Sequence, residues 1–386
     1  MTSKERMLTA FRNQQPDMVP VSPDMSNMIP AKLTGKPFWD IYLYGDPPLW
    51  VAYIEAVKKY KFDGWQYAGY LGPRRDAALT PPTMGRRDER KFNTEVVGTT
   101  HKALTARTYC TTPKGELWSE TVYYRDNPPW TYRKYFKDFE AQFDHLQYFF
   151  PEPSTLSGDF YWEMTNALGD LGTTGIGTGT PGFQHLFGLI DGGLPEICRL
   201  YLQKPHLIKE YRRMYEEWTV SYVERAIQIQ PEWIGTGGSG LLTLQSPRIV
   251  RDLSLGTIKK VTRMAKEADI PTHLHSCGRE KFLVELFARE TDLSSIEPLE
   301  RPPAGDCDLA EIKRKFGKRI ALKGNLNTTD LLTGTLEHVE REAKWCIDVA
   351  AEDGGFVLST GDQCGRDTPD ENLFKMIEVA RKYGRY

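Results

Sequence analysis

An imidazole and a thiol stand two residues apart in Thr272-His273-Leu274-His275-Ser276-Cys277-Gly278. The preceding Ala268-Asp269-Ile270-Pro271 reads as the passage from a polar helix end into a short buried strand, and residues two apart on a strand face the same way. His275 and Cys277 are therefore expected to aim together, as a nitrogen and sulfur pair that suits a borderline-soft metal such as zinc. Two ligands are too few for a stable site. The candidate third is Cys364, in Ser359-Thr360-Gly361-Asp362-Gln363-Cys364-Gly365, a loop directly after the apolar segment Gly355-Phe356-Val357-Leu358. One nitrogen and two sulfurs leave the fourth position of a tetrahedral zinc open, which is the catalytic pattern. The competing reading is that H-x-C arises by chance and that the cysteines are simply packed, as buried cysteine often is. His273 is expected to be a packed core histidine.

These residues must be positioned by a scaffold of 386 residues, enough to bury a large core. Lys plus Arg number 50 against 52 Asp plus Glu, a formal net charge of −2, so no global field recruits nucleic acid or an anionic membrane. Six cysteines (110, 198, 277, 307, 346 and 364) form no dense disulfide framework, and Met1-Thr2-Ser3-Lys4-Glu5-Arg6 opens into a helix pattern without an apolar leader. No apolar run reaches the length of a membrane span. The expectation is a cytoplasmic protein with no membrane and no nucleic-acid partner.

Thr2-x-x-Glu5 predicts a capping box on a first helix, Asp46-Pro47 the start of a second, and Leu207, Tyr211, Met214, Trp218, Tyr222 and Ala226 one side of a long one. Thr368-Pro369-Asp370-Glu371 predicts a capped C-terminal helix. Between about 84 and 135 the pattern turns extended around Thr112-Pro113-Lys114-Gly115, an inserted hairpin or small sheet. Arg74, Arg75, Arg86 and Arg87 beside it read as solvated surface unless the insertion folds over a pocket. The glycine-rich Gly172 to Gly179 lacks the Gly-Lys-Ser/Thr of a phosphate loop and the dinucleotide fingerprint, and fits close backbone approach instead.

Strands near residues 19, 64, 175, 233, 273, 295, 321 and 357, with helices between, count as eight and predict a single-domain α/β protein over 1–386, a (β/α)8 TIM barrel carrying the β-rich insertion. The mouth of such a barrel lies at the strands' C-terminal ends, where Asp24, Tyr67, Gly177, Gly238, His275, Cys277, Glu297, Asn325 and Cys364 would gather. Trp65, Tyr67 and Asn325 are the candidate substrate-binding residues.

Ser3-Lys4-Glu5-Arg6-Met7-Leu8-Thr9-Ala10-Phe11 with Pro16-Asp17-Met18-Val19-Pro20, Leu322-Lys323-Gly324-Asn325-Leu326-Asn327, and Thr368-Pro369-Asp370-Glu371-Asn372 together resemble the uroporphyrinogen decarboxylase superfamily. Within it, His275-x-Cys277 and the distant Cys364 resemble the zinc ligands of the cobalamin-dependent methyltransferases. The resemblance implies zinc, and methyl exchange between a small substrate and the cobalt of a corrinoid (cobalamin) carried by a partner protein. The substrate would be an O-methyl or methoxyaryl donor, or a thiol acceptor. No Asp-x-His-x-x-Gly corrinoid module is present in the chain itself. Two thiolates and a neutral imidazole would cancel the zinc charge and keep a bound thiolate nucleophilic, whereas an ether donor would call for a proton donor. Asp24, Glu297 and Asp362 are the candidates for that role by position. The alternatives are decarboxylation without metal and a non-catalytic binding protein with a structural metal. Decarboxylases carry an arginine-rich segment after the first strand for the porphyrinogen carboxylates, where this chain has Ser22-Pro23-Asp24-Met25-Ser26-Asn27. A structural metal would draw on Cys307 as its fourth ligand.

Overall fold

The computed structural model describes residues 1–71 and 91–386. Arg74, Arg75, Arg86 and Arg87 lie outside the described residues. Eleven strands are found among the described residues: β1 Gly64–Tyr67, β2 Lys91–Thr99, β3 Ala103–Thr112, β4 Gly115–Tyr124, β5 Trp130–Arg133, β6 Gly172–Gly177, β7 Trp233–Gly237, β8 Thr272–His275, β9 Ser295–Glu297, β10 Ala321–Leu326 and β11 Phe356–Thr360. Seven of them form one all-parallel sheet in the order β1-β6-β7-β8-β9-β10-β11, with helices in the crossovers, and the other four form an antiparallel sheet in the order β2-β3-β4-β5. A parallel sheet covered by its crossover helices is buried on both faces, which accounts for unbroken burial along β7, β9, β10 and β11.

The expected first strand near residue 19 is not a strand. Val21 makes an isolated parallel bridge to Leu358 of β11, whose N–H donates to Pro20 O at 2.9 Å while the N–H of Ser22 donates to Leu358 O at 2.9 Å. On its other side Val21 O accepts from Asp63 N at 2.8 Å, next to β1. Pro20 and Pro23 flank the segment and have no N–H to give a ladder, so pairing stops at one bridge and the sheet counts seven strands.

The first helix, Ser3–Phe11, has the expected capping box: Thr2 Oγ1 accepts from Glu5 N at 3.1 Å and the Glu5 carboxylate from Thr2 N at 2.8 Å. It packs Met7, Ala10 and Phe11 against Trp65, Trp233 and Val357. Its Arg6 is bonded to Asp17 and to the fully buried Asp63, tying the helix to the start of β1. The long helix is Pro205–Ile229. The helix expected from Asp46-Pro47 starts at Leu49 instead, with Pro48 at its N-cap. The last helix, Asp370–Tyr383, forms without the expected side-chain cap, and Thr368 Oγ1 is buried without a hydrogen-bond partner.

Glycines of β6 and β7 make room for aromatic rings. A Cβ on Gly175 would stand 2.2 Å from the Trp233 ring, and one on Gly235 of β7 would stand 2.1 Å from the Tyr67 ring. Only glycine permits this filling of the interior. The antiparallel sheet turns from β3 to β4 at Pro113 and Lys114, where Thr112 Oγ1 donates to Gly115 O at 3.1 Å. It packs Cys110 and Leu117 into the core cluster that holds Phe136, Leu186 and Leu189, and its far end is tied down by Phe38 N to Arg125 O at 2.7 Å and Arg366 Nη1 to Asp126 O at 2.8 Å.

Candidate metal centre

His275 is the last residue of β8, and parallel register sets it beside Gly237 on one side and Glu297 on the other. Cys277 lies just past the strand, in a loop whose turn needs Gly278: its φ is +85°, and a Cβ there would stand 2.1 Å from Thr243 Oγ1. Asp362 comes from the loop after β11. The ligand atoms of His275, Cys277 and Asp362 all lie within 4.8 Å of one another. The imidazole and thiol thus converge as the H-x-C spacing suggested, although Cys277 is not on the strand. Nitrogen, sulfur and a carboxylate oxygen are all zinc donors, so the residues present fit that metal.

Cys364 sits two residues beyond Asp362, buried, with its sulfur 3.9 Å from Thr360 Oγ1 and outside that group of three. Burial, helped by the nearby charge of Asp24, pushes its thiol up to about 12. Cys307 is buried against Asp306 and also stands outside the group.

Beneath the loops lies a buried charged network. Glu297 accepts from His275 Nδ1 at 3.2 Å, and its other oxygen bonds the Lys323 ammonium. That bond assigns the proton of His275 to Nδ1 and leaves Nε2, 3.4 Å from Ser239 Oγ, as the nitrogen facing the loops. Burial works against its charge, but contact with Cys277 and Glu297 holds the His275 imidazole well above its ordinary range. Glu297 is held well below the usual carboxylate range by Lys323 and then His273, which overcome the burial that would raise it. Lys323 is 1 % exposed and lies 4.3 Å from the Trp65 ring centroid. His273 is a core residue as expected: fully buried, stacked on Phe11 at 4.7 Å, and bonded through Nδ1 to Ser295 at 2.7 Å. Its Nε2 is 3.4 Å from Glu297 but not aligned for a hydrogen bond.

Trp65 and Tyr67 of β1 meet edge to face at 5.1 Å, and Tyr67 meets Trp233 at 4.6 Å. Burial, then the charges of Glu297 and Asp24, push the Tyr67 phenol well above its ordinary range. Asn325 is fully buried and spent on structure, its amide donating to Leu299 O at 2.8 Å and accepting from Arg301 Nε at 3.2 Å. Asp24 accepts from Ser26 N at 2.9 Å, and its backbone oxygen takes the N–H of Cys364 at 2.8 Å. Asp362 is pushed up by burial and by the charges of Asp24 and Glu297.

Three residues of this neighbourhood escaped the sequence reading. Glu280 is fully buried, with one carboxylate oxygen taking Leu299 N at 2.7 Å and the other unpartnered, and burial pushes it well above the usual range. Glu300, also pushed up by burial, accepts from Gly278 N. Lys323 was the legible one, since a lysine inside an otherwise apolar strand requires a buried partner. Glu280 and Glu300 follow no local pattern.

The family model for uroporphyrinogen decarboxylase (URO-D) matches residues 174–383, more than half of the chain. The chain belongs to the URO-D family. A uroporphyrinogen decarboxylase of Hordeum vulgare is 24% identical over 205 residues, covering 50% of this chain and 57% of that protein. The methylcobamide:CoM methyltransferase MtbA of Methanosarcina mazei is 31% identical over 128 residues, 32% of this chain and 34% of that protein. The chain thus matches about half the length of the first of these curated relatives and a third of the second. A solved structure described as a methyltransferase from Methanosarcina mazei superposes with a TM-score of 0.65 at 17% identity, covering 99% of both chains, and so shares this URO-D family fold. Among the described residues no helix is long and apolar enough to cross a membrane.

Proposed function

We propose that this URO-D family chain is a corrinoid-dependent methyltransferase, exchanging a methyl group between a small substrate and the cobalt of a corrinoid carried by a partner protein. The observation that carries the reading is the convergence of His275 and Cys277 with a third donor at the C-terminal strand ends. Its kinship with a methylcobamide:CoM methyltransferase supports it. On this reading Val21 serves as the eighth stave of a complete barrel, supported by its bonds toward both β11 and Asp63.

His275 and Cys277 would hold zinc, with Cys364 the expected further ligand from the loop after β11. When bound, zinc supplies Lewis acidity to the substrate heteroatom that gains or loses the methyl. Glu297 fixes the imidazole by its Nδ1 proton, and Lys323 keeps that carboxylate ionised. Trp65 and Tyr67 form the apolar floor under the substrate and Asn325 braces the β9 loop beside it. Asp24, whose own carboxylate accepts from Ser26 N, is our candidate to hand a proton to an oxygen leaving group, and Asp362, raised by burial, would serve in that role only where it does not bind the metal.

Metal-free decarboxylation is the second reading, carried by the names of several relatives. The acidic groups of the described site favour it less. Among the described residues Glu280, Glu297, Glu300 and Asp362 lie around His275, whereas a porphyrinogen with several carboxylates is suited by a basic cavity. A methyl-transfer screen decides between them: free cob(I)alamin or methylcobalamin offered with methoxyarenes, methylamines and thiols, read at the cobalt absorption bands. Turnover there supports the proposal. Carbon dioxide released from a porphyrinogen without metal, and no cobalt chemistry, would replace it.

A further inference from the structure

The H-x-C motif and a distant cysteine suggest a ligand set without Asp362, yet the Asp362 carboxylate is the group that stands with His275 and Cys277, all three donor atoms within 4.8 Å. Its backbone is unusual. Asp362 has a φ of 140°, a conformation that residues with a side chain rarely adopt and that persists only where the surroundings impose it. Three bonds impose it here: Gly361 N to Leu326 O at 2.7 Å, Thr360 Oγ1 to Asp362 O at 2.6 Å, and Cys364 N to Asp24 O at 2.8 Å. Glycine would hold this turn without strain, and Gly361 is next to it. An aspartate kept in a glycine's conformation points to a use for its carboxylate, and among the described residues that carboxylate is the oxygen donor grouped with His275 and Cys277.

We propose that Asp362 is itself a ligand of the metal held by His275 and Cys277, its carboxylate delivered by the strained turn after β11. This rests on the metal-dependent reading above only in requiring a metal at that place. The turn then presents an oxygen donor at Asp362 and, two residues on, the Cys364 thiol.

The test titrates the metal-depleted full chain with Co2+, read by thiolate-to-cobalt charge transfer and by d–d band intensity, and measures Zn2+ affinity by chelator competition. Asp362→Asn and Asp362→Gly should each weaken Co2+ and Zn2+ at least ~10-fold, the scale seen when even supporting groups of a metal site are lost. The d–d bands should change while charge transfer from Cys277 persists. Metal-free Asp362→Gly should melt above metal-free Asp362→Ala, because only glycine relieves the turn. Unaltered affinity and bands in the Asn and Gly variants would overturn the assignment while leaving the metal site standing. An Ala variant more stable than the Gly variant would overturn the strained delivery. A wild-type chain that binds neither ion would remove both this inference and the metal-dependent reading.

Discussion

Replacing Lys323 by methionine tests the buried network that fixes His275. Methionine keeps the apolar stem against Trp65 and removes the ammonium, so Glu297, whose side chain is 2 % exposed, is left as a buried carboxylate with only imidazoles beside it. Breaking a buried pair by deleting one partner costs about 3–5 kcal/mol. Glu297 can escape part of that by taking a proton, so the loss is expected near the lower end at acid pH and to grow as pH rises. The sign follows from linkage. In the wild type Glu297 is held below its ordinary 4.5, so its stabilisation is present above that pH and is lost on acidification. In Lys323→Met burial lifts the folded-state value above the unfolded one, the folded chain binds the extra proton, and stability falls with rising pH by up to about 1.4 kcal/mol per unit. Urea unfolding of metal-free protein between pH 5 and 8 measures this. Glu297→Gln in the same background should recover part of the loss, because the orphaned charge is then gone. A Lys323→Met protein within about 1 kcal/mol of wild type at pH 8, with no steeper pH dependence and no rescue by Glu297→Gln, would refute the reasoning.

If Cys364 ligates, Cys364→Ala should lower zinc affinity at least ~10-fold and abolish methyl transfer while the thermal midpoint shifts little; Cys198→Ala, on an exposed helix position, is the control with metal and activity intact. Gly175→Ala should destabilise by about 3 kcal/mol or prevent folding, since its Cβ would lie 2.2 Å from the Trp233 ring; a denaturant midpoint like wild type's would show that ring free to move. Asp17 is held down to about 2 by its bond to Arg6, so its contribution is complete above its ordinary 3.8 and disappears as pH falls through 2. Because Asp17 is one-third exposed, the Asp17→Asn deficit at pH 6 should be about 1 kcal/mol after screening, vanishing near pH 2 in an acid titration followed by circular dichroism.

The seven sheet strands were legible because they are short segments recurring between helical stretches, most of them apolar and β6 glycine-rich, and the insertion because its pattern alternates around Thr112-Pro113-Lys114-Gly115. The segment at Val19 to Ser22 was over-read: its apolar residues promised a strand, but two prolines removed the donors that a ladder needs. The Thr368 cap did not form: Pro369 takes the N-cap position, and the Thr368 hydroxyl is buried without a partner. At the site, H-x-C is local and could be read, whereas the nearness of Asp362 depends on a backbone angle and on loops 85 residues apart in sequence. Glu280 and Glu300 became neighbours of His275 only through the folding of the β8 and β9 loops, which no spacing announces.

The two ring-and-glycine pairs, Trp233 with Gly175 and Tyr67 with Gly235, constrain how this chain can change over generations. Neither glycine accepts a side chain while its partner ring remains, and shrinking either ring alone opens a void under the site. Passage to another interior therefore needs two substitutions, of which either one taken first is harmful, a form of sign epistasis written into the sheet's interior. Relatives that handle bulkier substrates should accordingly differ here by whole pairs, and single replacements should accumulate in the loops above.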